Sequence, residues 1–259
     1  MKYIVTSASV KSRCHTLNED CCFTAPRFII VADGMGGENC GEVASKIAVD
    51  VVASTLNDGL AGDLPYDSAV QLSRNAIMKA DDSIISYSTT HPGAFGMGTT
   101  ILLIIQIGQE LCIAWCGDSR CYVYNKKNGL HCLTKDHSYV QDLIDEDKIT
   151  VEESYSHPDS NLITRYVGGG DKVCIPDFTS YQMRQGDILI ACSDGLSGYC
   201  RDKDIEYCVC ENADNSHLPR LLIDLALSYG SDDDITIVTM AYPNETSIFG
   251  WLKRKLSSK

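Results

Sequence analysis

One stretch of ten residues, Phe-Ile-Ile-Val-Ala-Asp-Gly-Met-Gly-Gly at positions 28–37, constrains the fold of this chain most. Its apolar, β-branched run has the length of a buried strand and stops at Asp33, and three glycines follow within four positions. Glycine permits a sharp turn and a close approach of the backbone to a ligand. The carboxylate of Asp33 and the carbonyl oxygen of Gly34 could therefore face one hard cation. Taken alone, the stretch favours a solvated aspartate at a glycine turn.

The same combination of an apolar strand and an acid at one end recurs three times. The further acids are Asp118 after residues 113–117, Asp194 after residues 188–193, and Asp232-Asp233-Asp234 before residues 235–238. Carboxylates crowded at the rim of a sheet repel one another and lose hydration, so such a cluster is costly without cations. Ligands that are all oxygen favour Mg²⁺ or Mn²⁺ over zinc. A site of this kind is typical of phosphoester hydrolysis.

The spacing of apolar residues predicts the remaining elements. Helices are predicted over 41–56, 66–87 and 218–228, and strands over 2–9, 99–107, 111–116, 121–124, 173–181, 187–192 and 235–240. The three short strands between 99 and 124 suggest an antiparallel meander. Residues 138–160 are polar and acidic, with short helical signals at 140–144 and 151–155, and are interpreted as a surface excursion. No linker interrupts the chain before Pro243, which favours one domain over residues 1–243.

Composition limits the classes of partner and the compartment. The formal net charge of −13 argues against nucleic acid as a partner, because binding phosphates requires a surplus of Lys and Arg on some face. No stretch approaches the roughly 18 apolar residues of a membrane span, and no signal peptide is evident, so a cytoplasmic protein is expected. The 13 cysteines include no Cys-x-x-Cys pair, which argues against structural zinc.

A series of short motifs resembles, in order, the motif series of the metal-dependent serine/threonine protein phosphatases of type 2C in their bacterial form. The motifs are Asn18-Glu19-Asp20, Val31-Ala32-Asp33-Gly34-Met35-Gly36-Gly37, Gly41-Glu42-Val43-Ala44-Ser45, Gly98-Thr99-Thr100, Gly117-Asp118-Ser119-Arg120, Leu133-Thr134-Lys135-Asp136-His137-Ser138, Asn161-Leu162-Ile163-Thr164-Arg165, Cys192-Ser193-Asp194-Gly195-Leu196 and Asp233-Asp234-Ile235-Thr236. They cover nearly all of residues 1–241. Each motif is weak evidence, but nine in the same order are specific.

The resemblance implies an α+β fold, a four-layer α-β-β-α sandwich of two antiparallel sheets flanked by helices, with metals in a cleft at one end. It also implies hydrolysis of phosphoserine and phosphothreonine by water or hydroxide bound to two ions of Mg²⁺ or Mn²⁺. By matching position, Asp33 would bridge the two metals, the Gly34 carbonyl would bind one of them, and Asp194 and Asp233 would hold the second.

The resemblance gives roles to other residues as well. Glu19 and Asp20 would orient water from behind the metal ligands. Asp118 would hold a weaker third ion together with Asp194. Residues 138–160 would form a flap beside the cleft, and His137 is expected to order the start of that flap rather than to act as a general acid. The partners implied are phosphoproteins, substrates of a serine/threonine kinase, and the protein is expected to be a monomer.

Three positions depart from the family pattern. His15 stands where the family usually has an arginine that holds the substrate phosphate, so either Arg13 or a protonated His15 is expected to take that role. Glu38 stands where bacterial members often have histidine, and a solvated turn residue is the simpler interpretation. Asp234 stands where asparagine is usual, and it either strengthens metal binding or faces water.

Two alternatives to this activity remain open. Cys21 and Arg27 have the Cys-x5-Arg spacing of thiolate phosphatases, but the five residues between them include no glycine and one proline without an amide hydrogen. A noncatalytic member that binds phosphoproteins or acts as a scaffold is the second alternative. Every metal-ligand position that can be matched carries an acid, which argues against this second alternative.

The last residues of the chain form a segment of different character. In residues 244–259, apolar Ile248, Phe249, Trp251, Leu252 and Leu256 alternate with Lys253, Arg254, Lys255 and Lys259. This pattern is compatible with a basic amphipathic helix that docks on a partner or a membrane surface. A tail that packs on its own domain or frays is the favoured interpretation.

Overall fold

The computed structural model describes residues 3–36, 40–60, 62, 64–170, 172–213 and 216–242. The strands are β1 Ile4–Val10, β2 Asp20–Ala25, β3 Phe28–Met35, β4 Gly98–Thr99, β5 Ile101–Ile107, β6 Glu110–Cys116, β7 Arg120–Asn125, β8 Gly129–Cys132, β9 Asp177–Gln182, β10 Ile188–Cys192 and β11 Ile235–Ala241. The helices are α1 Gly41–Gly59, α2 Tyr66–Thr90, α3 Tyr139–Asp145, α4 Val151–Ser154, α5 Asp194–Ser197, α6 Asp202–Asn212 and α7 Leu218–Ser228, with a 3-10 turn at Pro92–Ala94. Glu38 and the predicted tail, 244–259, lie outside the described residues.

The strands form two antiparallel sheets. One sheet has the order β1-β11-β10-β7-β8, and the other has the order β2-β3-β5-β6-β9, with the two-residue strand β4 pairing with β3. The pairs β2–β3, β5–β6 and β7–β8 are hairpins, whereas β3–β5, β6–β9, β7–β10 and β1–β11 join strands far apart in sequence. Strand β11 lies between β1 and β10 and so joins the two ends of the described chain in one sheet.

The apolar side chains form three layers of core, because successive side chains of a strand point to opposite faces of its sheet. In β3, Ile29 and Val31 face the opposite sheet, whereas Ile30 and Ala32 face α1 and α2. The alternation repeats in the first sheet, where Leu189 packs between the sheets while neighbouring residues of β10 face α6 and α7. The predicted α-β-β-α sandwich is confirmed. Nearly continuous apolar runs are expected for strands that are covered on both faces.

The elements that were not predicted include β2, β8 and α6, as well as the single turn of α5. Strand β2 lies at a sheet edge and reads Asp-Cys-Cys-Phe-Thr-Ala, which lacks a regular alternation. Strand β8 has only four residues, and two of them are exposed. Helix α6 is mostly polar and buries only Ile205 and Val209, four positions apart, so its apolar stripe is too narrow to stand out in the sequence.

Two predicted strands have other boundaries in the structure. The strand predicted over 173–181 begins only at Asp177, because the chain turns at Gly170–Val173 and Pro176 has no N–H to donate to a ladder. The strand predicted over 99–107 is divided, since Thr99 pairs with Gly34 and with Val167 before β5 begins. The two helical signals in the predicted flap correspond to α3 and α4.

No helix in the described part of the chain is both long enough and apolar enough to cross a membrane.

Candidate active site

Strand pairing brings the predicted acids to one end of the sandwich. Asp20 and Asp33 are directly opposite each other in the β2–β3 register. Strand β10 ends at Cys192 beside the start of β11, so Asp194 in the first turn of α5 lies close to Asp233. Like charges directly opposite on paired strands destabilise a sheet, so this arrangement requires compensation.

A cleft of about 710 Å³ opens at this end of the molecule. Its walls include seven of the nine residues predicted for the site, namely His15, Glu19, Asp33, Gly34, Asp118, Asp194 and Asp233. The other two lie outside the lining: Asp20 is buried beneath the cleft wall, and Arg13 is exposed. Asn161 and Ile163, which follow the predicted flap, also line the cleft. Both residues belong to one of the motifs, but no role was predicted for them.

Burial raises the pKa of the carboxylates in the cluster. For Asp33, loss of hydration is the main cause, followed by repulsion from Asp20 and Asp194, and its pKa lies well above the usual range. The same cause raises the pKa of Asp20 to about 8 and that of Asp233 to about 7. The pKa values of Asp118 and Asp194 are also raised, mainly by burial. The cluster therefore resists full ionisation unless positive charge is supplied.

Unsatisfied oxygens indicate that these residues fit divalent cations. Oδ1 of Asp20 and Oδ1 of Asp194 are buried without a hydrogen-bond partner, although buried carboxylate oxygens are normally satisfied. An oxygen-only donor set with unsatisfied lone pairs suits Mg²⁺ or Mn²⁺.

Hydroxyl groups fix the backbone that carries Asp33. Its N–H donates to Oγ1 of Thr100 at 2.9 Å, and its carbonyl oxygen accepts from Oγ1 of Thr99 and from the N–H of Thr100, both at 2.8 Å. Oγ1 of Thr100 is also 2.8 Å from Oγ of Ser119. Sequence reasoning gave no role to these residues, although all three lie in the quoted motifs.

Ser193 connects two acidic strand ends beneath the cleft. Its Oγ donates to Oδ2 of Asp20 at 2.7 Å and accepts from the N–H of Thr236 at 2.9 Å. The hydroxyl of Thr236 in turn lies 2.7 Å from that of Ser9. One oxygen of Asp20 is thus oriented by the other sheet, which leaves the second oxygen unsatisfied.

His15 and Asp234 form a pair at the edge of the cleft. Nδ1 of His15 lies 3.0 Å from Oδ2 of Asp234, and the hydrogen bond to Asp234 is the main cause that raises the pKa of His15. Among the described residues, donor atoms of His15, Asp233 and Asp234 all lie within 4.8 Å of one another. Asp234 is only 2% exposed, so the expectation of a water-facing residue is wrong for this position.

The thiolate alternative finds no support in the geometry. Burial raises the pKa of the Cys21 thiol, whereas a nucleophilic cysteine needs a lowered pKa. The guanidinium of Arg27 donates to the carbonyl oxygens of Leu60 and Gly62, at 3.0 and 2.7 Å, and so is occupied by the loop after α1. The pair therefore lacks the features of a phosphate-binding thiolate loop.

His137 lies behind the cleft and contacts the base of the predicted flap. Its Nδ1 accepts from the N–H of Gly117 at 3.1 Å, and its Nε2 lies 3.1 Å from Oδ2 of Asp177. Its carbonyl oxygen accepts from the N–H of Thr164 at 2.8 Å. These contacts agree with the expected ordering role, and His137 is not among the residues that line the cleft.

The fold and the cleft define a class of protein: a four-layer sandwich with an oxygen-only acidic cluster suited to divalent cations. The family described as Protein phosphatase 2C matches residues 13–221. The chain belongs to this family, and the resemblance predicted from its motifs is confirmed.

Individual relatives agree with this assignment. The serine/threonine protein phosphatase PstP of Mycobacterium tuberculosis is 37% identical over 225 residues, which cover 85% of this chain and 41% of PstP. This chain thus spans about two fifths of the PstP sequence. A crystal structure of the Staphylococcus aureus serine/threonine phosphatase Stp1 matches with a TM-score of 0.85 and 29% identity, covering 93% of this chain and 95% of Stp1. A structure of the PstP catalytic domain with two manganese ions matches with a TM-score of 0.80 and 30% identity, covering 93% and 99%.

Proposed function

We propose that this chain hydrolyses phosphoserine and phosphothreonine in proteins and that the reaction depends on divalent metal ions. The observation that supports this most is the acidic cluster at the cleft, in which burial raises the pKa of the carboxylates and two buried oxygens lack a partner. Such a cluster destabilises a fold that has no cations to bind. Its presence in a chain of the phosphatase 2C family supports a role in catalysis.

The proposed ligands are the acids that match the family's metal-binding positions, and their place in the lining of the cleft supports them. Asp33 would contact two ions, the Gly34 carbonyl would contact one of them, and Asp194 and Asp233 would hold the other. Asp118, together with Asp194, would hold a weaker third ion. When bound, the ions lower the pKa of water to give a nucleophile at neutral pH and stabilise the negative charge on the phosphoryl group.

Glu19 and Asp20 act from positions behind the proposed ligands. Burial raises the pKa of Glu19, whose carbonyl oxygen also accepts from the N–H of Gly34 at 3.1 Å. Asp20 is fixed by Ser193. Glu19, which lines the cleft, can therefore accept a proton from water there and hold that water in a defined orientation, whereas Asp20 would act from beneath the cleft wall by orienting the groups in front of it.

We propose that His15, rather than Arg13, binds the phosphate group of the substrate. His15 lines the cleft, and a hydrogen bond to a carboxylate favours its cationic form, which binds phosphate. Arg13 is exposed, lies outside the cleft lining, and would have to reach in from its present position.

The choice of metal ion and the cellular setting are further parts of this proposal. PstP was crystallised with manganese, and an oxygen-only site accepts either Mn²⁺ or Mg²⁺. We expect a cytoplasmic monomer of one domain, residues 1–243, that acts on substrates of a serine/threonine kinase and does not bind nucleic acid.

Hydrolysis of a phosphothreonine peptide tests the proposed activity. We expect activity that requires Mn²⁺ or Mg²⁺, that is lost in chelator and that survives alkylation of thiols. Asp33→Asn and Asp194→Asn should each lower the rate by at least about 100-fold, because each removes a carboxylate from the proposed ligands. Circular dichroism and metal-free thermal melting should show that both variants fold.

Three results would contradict the proposal. Activity retained in either variant would refute the assignment of the ligands, and activity lost to alkylation but not to chelator would favour a thiolate mechanism. Wild-type protein that binds a phosphopeptide with Mn²⁺ but releases no phosphate would instead support the noncatalytic, phosphoprotein-binding alternative.

A further inference from the structure

The carboxylate of Asp234 accepts hydrogen bonds from three positions of one loop. Oδ1 accepts from the N–H of Ser12 at 2.6 Å, and Oδ2 accepts from the N–H of Glu19 at 2.7 Å. Nδ1 of His15 lies 3.0 Å from the same Oδ2. At 2% exposure, the carboxylate is closed off from water. It therefore fixes both ends of the loop 12–19 and the imidazole between them.

This geometry determines which nitrogen of His15 carries hydrogen. Both oxygens of Asp234 already accept from backbone N–H groups, so the carboxylate is arranged as an acceptor and Nδ1 of His15 is the donor that matches it. Nε2 is then the remaining polar atom of the ring, and as an N–H it would donate to a phosphate oxygen. The side chain of His15 is 36% exposed and lines the cleft, so Nε2 belongs to the part of the ring that a ligand can reach.

Further contacts hold the loop in this conformation. Oγ of Ser12 donates to the carbonyl oxygen of Asp232 at 2.5 Å and accepts from the N–H of Cys14 at 2.9 Å. Nζ of Lys11 donates to the carbonyl oxygens of Ser12 and His15. Because the backbone on both sides of His15 is fixed, the bond to Asp234 decides only the orientation of its ring.

From these contacts we propose that Asp234 is a positioning residue that holds the imidazole of His15 so that Nε2 meets the phosphate of the substrate. The proposal rests on the proposed phosphatase function and deepens it. The imidazole side chain is short, so the direction in which Nε2 points is set by the place where Nδ1 is held. An acid at position 234 thus complements a histidine at position 15.

A double-mutant cycle tests this coupling with a phosphothreonine peptide at saturating Mn²⁺. Asp234→Asn should raise KM about tenfold and change kcat less than about threefold, as expected for one lost charged hydrogen bond that orients the ligand. In the His15→Ala background, Asp234→Asn should raise KM clearly less than in the wild type, because only its hydrogen bonds to the backbone of Ser12 and Glu19 remain to be lost. The inhibition constant of inorganic phosphate, used as a competitive inhibitor, should rise by the same factor as KM. Asp224→Asn removes an equal charge from the exposed face of α7 and should leave KM unchanged.

Equal effects of Asp234→Asn with and without His15 would overturn the proposal, since they would indicate a structural role only. His15→Arg combined with Asp234→Asn should recover most of the lost affinity, because a guanidinium does not need the carboxylate. No recovery would also count against a positioning role.

The ring itself gives a readout that does not depend on activity. In protein labelled with ¹⁵N histidine, His15 should carry hydrogen on Nδ1 in the wild type and lose this preference in Asp234→Asn. Hydrogen on Nε2 alone in the wild type would refute the proposal. A wild type that shows this signature but releases no phosphate with Mn²⁺ or Mg²⁺ would instead refute the proposed function and leave the positioning intact.

Discussion

At the scale of single residues, the site depends on how closely two backbone segments approach each other. Gly34 lies against the carbonyl oxygens of Gly41 and Glu19, and Gly195 lies against the carbonyl oxygen of Asp234. Neither close contact could accommodate a side chain, because the neighbouring atoms are backbone. The glycines after Asp33 and Asp194 are therefore explained by space rather than by turn geometry.

Gly34→Ala should consequently destabilise the protein by about 2 kcal/mol or more, since an added methyl group meets backbone atoms that cannot move cheaply. It should also abolish metal-dependent activity, because the strand end that carries Asp33 would shift. Urea denaturation and a phosphopeptide assay measure the two effects. Gly93→Ala is the matched control: a Cβ there has no atom within 4 Å, so a change of no more than about 0.5 kcal/mol is expected. Similar effects for both variants would show that space at Gly34 is not the cause.

At the scale of elements, Arg201 connects the predicted flap to helix α6, which packs on the first sheet. The guanidinium of Arg201, at the start of α6, donates to both carboxylate oxygens of Glu152 in α4, at 2.7 and 3.2 Å. It also lies over the ring of Tyr155, 3.6 Å from its centroid. Thr150 and Glu153 form a capping box that begins α4. A short flap helix is thereby fixed at its start and on one face.

Arg201→Ala should loosen this flap without unfolding the protein. We expect amide hydrogen exchange in α3 and α4 to become several-fold faster, while exchange in β5 and β6 stays unchanged. Tm should fall by about 2 °C or less, because surface contacts of this kind contribute little to global stability. Arg220→Ala, which breaks an ion pair with Asp224 on α7, provides the control and should leave flap exchange unchanged. Unchanged flap exchange in Arg201→Ala would show that the flap is held elsewhere.

At the scale of the whole molecule, the acidic cluster links stability to pH and to metal. Burial raises the pKa of Asp20 to about 8 and of Asp233 to about 7 in the metal-free fold, whereas both would titrate near 4 when unfolded. Between these values the folded protein binds more protons than the unfolded chain. The free energy of unfolding of the metal-free protein must therefore decrease as pH rises from about 4 towards 8.

Bound divalent cations should remove most of this decrease, because they stabilise the ionised carboxylates. We expect the rise in Tm on adding Mn²⁺ to be larger at about pH 8 than at about pH 5.5, by roughly 5 °C or more. Thermal melts with Mn²⁺ and with chelator at both pH values measure the difference. Asp33→Asn should show a smaller difference, since it removes one charge and one ligand. A metal-induced rise that is equal at the two pH values would contradict the link between burial of the acids and metal binding.

The amino-acid sequence by itself determined the helices α1, α2 and α7, most of the strands and the acids that end them. These features follow from local properties, namely apolar period and the position of glycine and aspartate. The order of the motifs also determined the family. The sequence could not indicate β2 or α6, because a half-exposed edge strand and a mostly polar helix acquire their apolar contacts only from the packed layers.

Only the tertiary structure decided how the acids are used. Register within the β2–β3 hairpin places Asp20 opposite Asp33, and the pairing of β10 with β11, which are separated by some forty residues, brings Asp194 to Asp233. The structure also buried Asp234 and joined it to His15, which sequence reasoning had left open. These contacts could not be read from the sequence, because hydrogen bonding and loss of hydration depend on which residues are neighbours in space.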